Sequence, residues 1–279
     1  MDNLCPELVA YILDFLHASA PLLASSSLVC RNWLPATRYH LFSTPVLCQI
    51  SSVRSPSDNT CSFIELLDSP LCTFRHSIQG CILNIQRVSI LRTCIDALAA
   101  HTTLTGTLLI TQHECVDIDL TRDLQLSEKF CFLRSFVYSN LSDVWSSDLS
   151  QLIISLPHLE SLSIFTDIYI CSEVDMAPGP HGGVVLPNLK VLRLRMFNPS
   201  KFLCWMLDLP GYKPQIEVLD MVVSAAQHIG WGLLEVMELF LVANTGTLKN
   251  LYLVLEYRSD FPHGLEVQRL YPIYPLRLS

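Results

Sequence analysis

The stretch Leu189-Lys190-Val191-Leu192-Arg193-Leu194 places apolar residues at positions i, i+3 and i+5. Side chains alternate between the two faces of a β-strand, so the residues at i+3 and i+5 share one face. The residue at i then lies just before the strand. We therefore expect a short strand here, with Leu192 and Leu194 facing a hydrophobic core.

The same spacing recurs along much of the chain, with first residues that lie 20 to 32 positions apart. The other clear copies are Ile85-Val88-Ile90, Leu133-Phe136-Tyr138, Leu159-Leu162-Ile164, Ile216-Leu219-Met221 and Leu248-Leu251-Leu253. A weaker copy starts at Thr105 and continues with Leu108 and Ile110. The segments between the copies have helical apolar spacing: 91–100, 149–156, 201–207 and 231–243.

This period, with strand and helix in alternation, is typical of a leucine-rich-repeat solenoid. The predicted fold class is therefore α/β, with parallel strands on the concave face and helices on the convex face. An ordinary α/β domain with short parallel strands would give a similar pattern and stays open as the alternative. Such repeats often carry Asn or Cys at i+8, but here that position holds mixed residues. We expect an irregular array, with an exposed loop at the Pro-Gly-Pro-His-Gly-Gly run of residues 178–183.

Composition excludes several classes of protein. Of the 279 residues, 50% are hydrophobic and 16% are charged, which is unlike a disordered chain. No stretch of about 20 apolar residues is present, so we predict no membrane association. A net charge of −8, with five lysines and no basic run, argues against nucleic-acid binding. The 11 cysteines are odd in number and contain no CxxC pair, and the first residues do not resemble a secretory signal. We therefore predict reduced thiols and a cytoplasmic or nuclear location.

The first 44 residues predict three short helices instead of the repeat pattern. Pro6 suits the first position of a helix, and Leu8, Val9, Ile12, Leu13 and Leu16 then form a wide apolar face. A second helix is predicted over 22–33, with Leu28 and Val29 directed inward, and a third opens at Pro35 and ends near His40. A unit this small is marginally stable alone, so we expect it to pack on the rest of the chain or on a partner.

Three segments of this region resemble an F-box of the large fungal F-box families. They are Leu4-Cys5-Pro6-Glu7-Leu8, Ser27-Leu28-Val29-Cys30-Arg31-Asn32-Trp33 and Arg38-Tyr39-His40-Leu41-Phe42. Residues 63–70 are similar to the linker of those proteins, whereas Cys5 replaces a proline that many relatives carry. The resemblance implies an F-box at 1–44. Together with the repeat pattern, it predicts a helical or irregular linker at 45–80, a leucine-rich-repeat-like solenoid at 81–257, and a tail or cap at 258–279.

The resemblance implies that this protein is the substrate-recognition subunit of a Skp–cullin–F-box ubiquitin ligase. The F-box would bind the Skp-type adaptor, and through it the cullin–RING ligase, while the repeats would bind a protein substrate. Carried over by motif, the residues of the F-box core or the adaptor-binding surface are Leu4, Pro6, Leu8, Ile12, Leu28, Val29 and Trp33. We predict no metal and no cofactor.

The strand face is the expected substrate surface, because stacked strands form an extended wall. Its candidate residues are Ser163, Arg193, Arg195, Asp220 and Tyr252. Arg193 and Arg195 lie two positions apart, so both guanidinium groups can face one carboxylate or phosphate. A solvated sheet surface with no ligand is the alternative.

The sequence carries no familiar catalytic motif, so we predict that the protein is not an enzyme. Residues 113–115 are His-Glu-Cys, but neighbours on a strand face opposite ways and cannot converge on one metal. Asp117 and Asp119 can share a face, but a solvated pair is the expected interpretation. Two other functions stay open: a repeat scaffold whose F-box-like helices only cap the solenoid, and a hydrolase or transferase with an unrecognised site.

Overall fold

The chain is described by a computed structural model over residues 4–16, 19–43, 45–48, 58–85, 88–112, 125–140, 147–166, 186–196, 199–209, 215–225 and 231–257. It divides into two compact units, Met1–Ile110 and Thr111–Ser279. Among the described residues, no helix is both long enough and apolar enough to cross a membrane.

The first unit begins with three helices and continues as alternating strands and helices. In chain order its elements are α1 (Pro6–Leu16), α2 (Ala20–Ser26), α3 (Leu34–Phe42), β1 (Val46–Cys48), α4 (Asp58–Asp68), a 3-10 turn (Arg75–Ser77), β2 (Cys81–Ile85), α5 (Val88–His101) and β3 (Thr107–Gln112). Strand β1 pairs in parallel with β2, with Val46 opposite Ile82. Strand β3 lies next to β2. The strands therefore begin within the segment 45–80 that the sequence assigned to a linker.

The second unit continues the alternation. Its elements are α6 (Leu126–Lys129), β4 (Ser135–Asn140), α7 (Ser147–Ile154), β5 (Ser161–Thr166), β6 (Val191–Met196), α8 (Ser200–Asp208), β7 (Val218–Ala225), α9 (Trp231–Ala243) and β8 (Asn250–Tyr257). Strands β4 to β8 pair in chain order, and every pair is parallel. The predicted α/β class is confirmed. The chain order of the strands is consistent with a solenoid, while the leucine-rich-repeat assignment stays a prediction.

The repeated apolar spacing explains how the strands of the second unit pack. In four copies all three template residues are buried: Leu133-Phe136-Tyr138, Leu159-Leu162-Ile164, Leu189-Leu192-Leu194 and Ile216-Leu219-Met221. Intervening residues of β6, such as Arg193 and Arg195, are exposed. One face of these strands therefore contributes to the core, as the alternation of side chains requires. The weaker copy is confirmed as a strand too, with Leu108 and Ile110 buried in β3.

The first predicted copy, Ile85-Val88-Ile90, is wrong. Val88 and Ile90 lie in α5, in which Leu91, Ile95 and Leu98 are buried at helical spacing. Apolar residues three positions apart fit a helix as well as the strand template. Here the helical spacing continues through Leu91, Ile95 and Leu98, so the segment forms a helix. The true copy lies seven residues earlier, at Ile78-Cys81-Leu83, and all three of its side chains are buried.

The predicted second helix is also wrong in extent. Helix α2 ends at Ser26, and Leu28 and Val29 are exposed instead of directed inward. The serine run explains the early end. The Ser26 hydroxyl donates to the Leu22 carbonyl and the Ser27 hydroxyl to that of Ala24, and such back-bonding competes with the helical backbone. The third helix spans Leu34–Phe42, with Pro35 in its first turn.

A row of charged residues precedes strands β4 to β8, each directly after the first residue of a template copy. The row alternates in sign: Arg134, Glu160, Lys190, Glu217 and Lys249. Each backbone N–H from Glu160 onward donates to the carbonyl of the preceding member, at 2.7 to 2.9 Å. The side chains pair as well, with Lys249 Nζ 2.7 Å from Glu217 Oε2 and Arg134 Nε 3.7 Å from Glu160 Oε1. The row aligns the starts of the strands.

Several predicted features lie outside the described residues. They are the loop at 178–183, the tail or cap at 258–279, the His-Glu-Cys run at 113–115, and the pair Asp117 and Asp119.

Candidate interaction surfaces

A small core holds the first three helices together. It consists of the buried side chains of Val9, Leu13 and Leu23, against which the half-buried Leu16, Trp33, Ala36 and Leu41 pack. The Asp14 carboxylate lies 3.4 Å from His40 Nε2 and joins the polar side of α1 to α3. This core buries only the part of the apolar face of α1 that carries Val9, Leu13 and Leu16.

The remaining apolar residues of α1 are exposed. Leu8 keeps 49% of its surface accessible and Ile12 keeps 36%, and Tyr11 and Phe15 are exposed as well, as is Leu4, which lies two residues before the helix begins. At about 100° per residue, the four helical side chains Leu8, Tyr11, Ile12 and Phe15 cover an arc of about 100°, next to the arc of Val9, Leu13 and Leu16. The rings of Tyr11 and Phe15 contact edge to face, with centroids 5.0 Å apart. We call these five residues the α1 surface.

More apolar side chains are exposed on α2 and the turn after it. Leu28 is 85% exposed, and Leu22 and Val29 are also exposed. The exposure of Leu28 and Val29 follows from the early end of α2, because the turn that starts at Ser27 carries both residues out of the helix.

The predicted adaptor-binding residues thus fall into two groups. Leu4, Pro6, Leu8, Ile12, Leu28 and Val29 are exposed, whereas Trp33 packs on the core. Three further exposed apolar residues of α1 and α2 were not predicted: Tyr11, Phe15 and Leu22. A signal for two of them was present, since Tyr11 and Phe15 lie four apart on the side of α1 that carries Leu8.

The pairing register gathers the predicted substrate-binding residues. Ser163, Arg193, Asp220 and Tyr252 lie opposite one another on β5, β6, β7 and β8, so they form one row across four strands. Ser163 is buried, Asp220 is half-buried, and Arg193 and Tyr252 are exposed. Arg195 belongs to the next row.

The strand face that carries this row and Arg195 offers groups that can bind a charged ligand. Arg193 and Arg195 donate hydrogen bonds in a planar fork, which suits carboxylate or phosphate oxygens. Arg195 has Phe165 and Val222 as its register neighbours, and both are half-buried. A basic group with apolar neighbours suits a peptide that carries both an acidic and an apolar side chain.

The thiols of the first unit are structural where they are buried. Burial raises the pKa of Cys81 far above its ordinary value, and the neighbouring Cys94 thiol adds to the rise. A thiol in this state is a poor nucleophile and a poor metal ligand. In the described segments, no group of three or more His, Cys, Asp and Glu side chains is placed to hold a metal ion.

No protein-family model matches the chain, and no curated protein matches it significantly.

Proposed function

We propose that this protein is the substrate-recognition subunit of a Skp–cullin–F-box ubiquitin ligase and has no catalytic activity of its own. The observation that supports the proposal most is the α1 surface. A short helix that exposes four large apolar side chains on one side, with a fifth just before it, has the form of a docking helix.

The energetics favour a partner on this surface. Fully burying one Leu, Ile or Phe side chain contributes about 1.5–3 kcal/mol. Leu8, Ile12 and Phe15 together therefore offer several kcal/mol that the chain's own core leaves unused. The residues carried over from the F-box motif include Leu4, Leu8 and Ile12, so the motif and the exposed surface point to the same face.

The strand row would then face the substrate. Arg193, Asp220 and Tyr252 lie side by side in register and are at least partly accessible. They belong to the second unit, whereas the α1 surface belongs to the first. Adaptor binding and substrate binding would therefore use different residues, and variants can separate them.

Binding to a purified Skp-type adaptor tests the adaptor half of the proposal. We expect the wild-type chain to form a one-to-one complex by calorimetry, and the double variant Leu8→Ser/Ile12→Ser to bind at least tenfold more weakly. Leu234→Ser/Leu239→Ser is a matched control, since these leucines of α9 are 55% and 60% exposed. The control should bind like wild type. Equal binding by both double variants, or no binding by the wild-type chain, would contradict the proposal.

A second experiment tests the substrate half. Arg193→Glu/Arg195→Glu should reduce the capture of cellular proteins, measured by quantitative mass spectrometry, and leave adaptor affinity unchanged. Lys201→Glu on α8 is the charge-reversal control, because its side chain is exposed on a helix. Loss of adaptor binding in the arginine variant would indicate misfolding, and unchanged capture would remove these arginines from the substrate surface.

One observation favours the alternative, a scaffold in which the first helices only cap the repeats. The Ser43 carbonyl accepts the backbone N–H groups of Gln79 at 2.9 Å and Gly80 at 3.0 Å, directly before β2. The helices are thus joined to the start of the strands, as a cap would be. A well-folded chain that binds no Skp-type adaptor would favour this scaffold.

A further inference from the structure

Helix α9 carries apolar side chains on its outward face as well as on its inward face. The inward face consists of three buried residues: Leu233, Met237 and Phe240. On the outward face, Leu234, Leu239 and Val242 are 55%, 60% and 66% exposed. A helix that is apolar on all sides is normally buried on all sides. The outward face of α9 therefore presents apolar area that another surface can cover.

Two carboxylates interrupt the apolar residues of the outward face. Glu235 and Glu238 are exposed, and they lie one turn apart, at i and i+3. Side chains four positions apart lie one above the other on a helix, so Glu238 lies between Leu234 and Val242. Helix α9 contains no Lys, Arg or His, and neither carboxylate pairs with a basic side chain in the described part of the chain. We call Leu234, Glu235, Glu238, Leu239 and Val242 the α9 surface.

We propose that the α9 surface binds an amphipathic helix of another protein, and that the contacting side of this helix carries both apolar and basic side chains. This inference is independent of the ubiquitin-ligase proposal, because the α9 surface and the α1 surface belong to different units. The apolar side chains of the partner would cover Leu234, Leu239 and Val242. Its Lys or Arg side chains would pair with Glu235 and Glu238, whose charges repel each other at this spacing.

The backbone of α9 favours a helix over an extended segment as the partner. The N–H and C=O groups inside an α-helix pair with each other, so α9 offers no hydrogen-bonding edge of the kind that a sheet offers to a strand. Its side chains form ridges along the i to i+4 direction, and the ridges of a second helix fit between them. The exposed stretch from Leu234 to Val242 is about 13 Å long. A partner helix of two to three turns is therefore long enough to cover it.

Charge disfavours two other occupants of the α9 surface. A second copy of α9 would bring four carboxylates into one interface, without a basic residue from either helix. A membrane surface that carries anionic lipids would repel Glu235 and Glu238. The net charge of the chain is −8, so its overall field also attracts a basic partner and repels a second copy.

Fluorescence anisotropy of the full chain with two labelled peptides tests the proposal. The basic probe repeats Leu-Lys-Lys-Leu-Leu-Lys-Leu twice, and the acidic probe has Glu in place of every Lys. We expect the wild-type chain to bind the basic probe at least tenfold more tightly than the acidic probe, and less tightly as salt is raised. Leu234→Ser/Leu239→Ser and Glu235→Lys/Glu238→Lys should each weaken binding of the basic probe at least tenfold. The charge reversal should also make the acidic probe the preferred one.

Glu65→Lys/Glu128→Lys is the matched control, since both glutamates are exposed on other helices and the change in net charge is the same. This variant should bind the basic probe within about threefold of wild type. The α1 variant Leu8→Ser/Ile12→Ser should do the same, because the probe is expected on α9 and not on α1.

Four binding results would overturn the proposal: no binding of the basic probe by the wild-type chain, equal binding of the two probes, equal losses in the two charge-reversal variants, or a loss in the α1 variant instead of the α9 variants. Sedimentation velocity of the chain alone tests the second copy as occupant. We expect a monomer. A dimer that dissociates in Leu234→Ser/Leu239→Ser would also overturn the proposal.

Discussion

At the scale of single residues, the charged row before the strands predicts a pH dependence of stability. Lys249 donates a hydrogen bond to Glu217, and this bond, with the charges of Lys249 and Lys190, holds the pKa of the Glu217 carboxyl below its ordinary value against an opposing effect of desolvation. A carboxyl with a lowered folded-state pKa stabilises the fold above its ordinary pKa of 4.5, and this contribution is lost as the pH falls through the folded-state value.

We therefore expect Glu217→Gln to lower the melting temperature at pH 7 and to have no effect at pH 2. Thermal melts followed by circular dichroism at both pH values measure this. Glu235→Gln on α9 is the control, since this exposed glutamate is outside the row. A Glu217→Gln effect that is equal at both pH values would show that lost packing, instead of lost charge, is responsible.

Asn244 is the second residue whose role depends on hydrogen bonds. Its buried side chain accepts from the Ile216 N–H at 3.1 Å and donates to the Phe240 carbonyl at 2.8 Å, so it joins the end of α9 to the start of β7. Asn244→Ala leaves a buried N–H without a partner, which costs about 1–3 kcal/mol. Urea unfolding measures the loss. Asn188→Ala, which removes an exposed bond to the Pro157 carbonyl, should cost less than Asn244→Ala.

At the scale of elements, local spacing predicted strands β3 to β8, but it did not predict β1, β2 or the end of α2. The five clear copies that form β4 to β8 and the weaker copy in β3 were placed correctly, and in four of the clear copies all three template residues are buried. The first copy failed since Val88 and Ile90 fit a helix equally well. The role of Asn244 was not predicted, because leucine-rich repeats often carry Asn at i+8, after the first template residue. Asn244 instead lies four residues before a first template residue, Leu248. The exposure of Leu28 depended on where α2 ends, and side-chain bonds of the serine run influence that end.

The segments that lead into β2 and β3 lie close together, which restricts the residue at position 106 to one without a Cβ atom. Gly106 donates its N–H to the Gln79 carbonyl at 2.8 Å, and a Cβ atom at Gly106 would lie only 2.6 Å from that oxygen. We expect Gly106→Ala to destabilise the protein by about 1–3 kcal/mol, because the two backbones must separate. Gly246→Ala is the control, as nothing lies within 4 Å of its added Cβ. Equal unfolding midpoints in urea would contradict this explanation.

At the scale of the whole molecule, the contacts place the first three helices in a unit that extends to Ile110. The resemblance to an F-box suggested a boundary at residue 44. However, Phe42 stacks on Phe74 with ring centroids 4.0 Å apart, and the Tyr39 hydroxyl accepts a hydrogen bond from Gln79. These contacts join α3 to the chain just before β2. Removing residues 1–44 would therefore remove the α1 surface and also these contacts, which stabilise the segment before β2.

We accordingly expect the chain that lacks residues 1–44 to melt at a lower temperature and to exchange the amides of β2 faster than wild type. Leu8→Ser/Ile12→Ser should do neither, because Leu8 and Ile12 are exposed and outside the core of Val9, Leu13 and Leu23. Hydrogen exchange followed by mass spectrometry distinguishes the two variants. If the truncated chain kept wild-type protection in β2, the first three helices would be an independent domain, and deletion would suffice to test adaptor binding. If protection is lost, only surface variants of α1 separate partner binding from the folding of the unit.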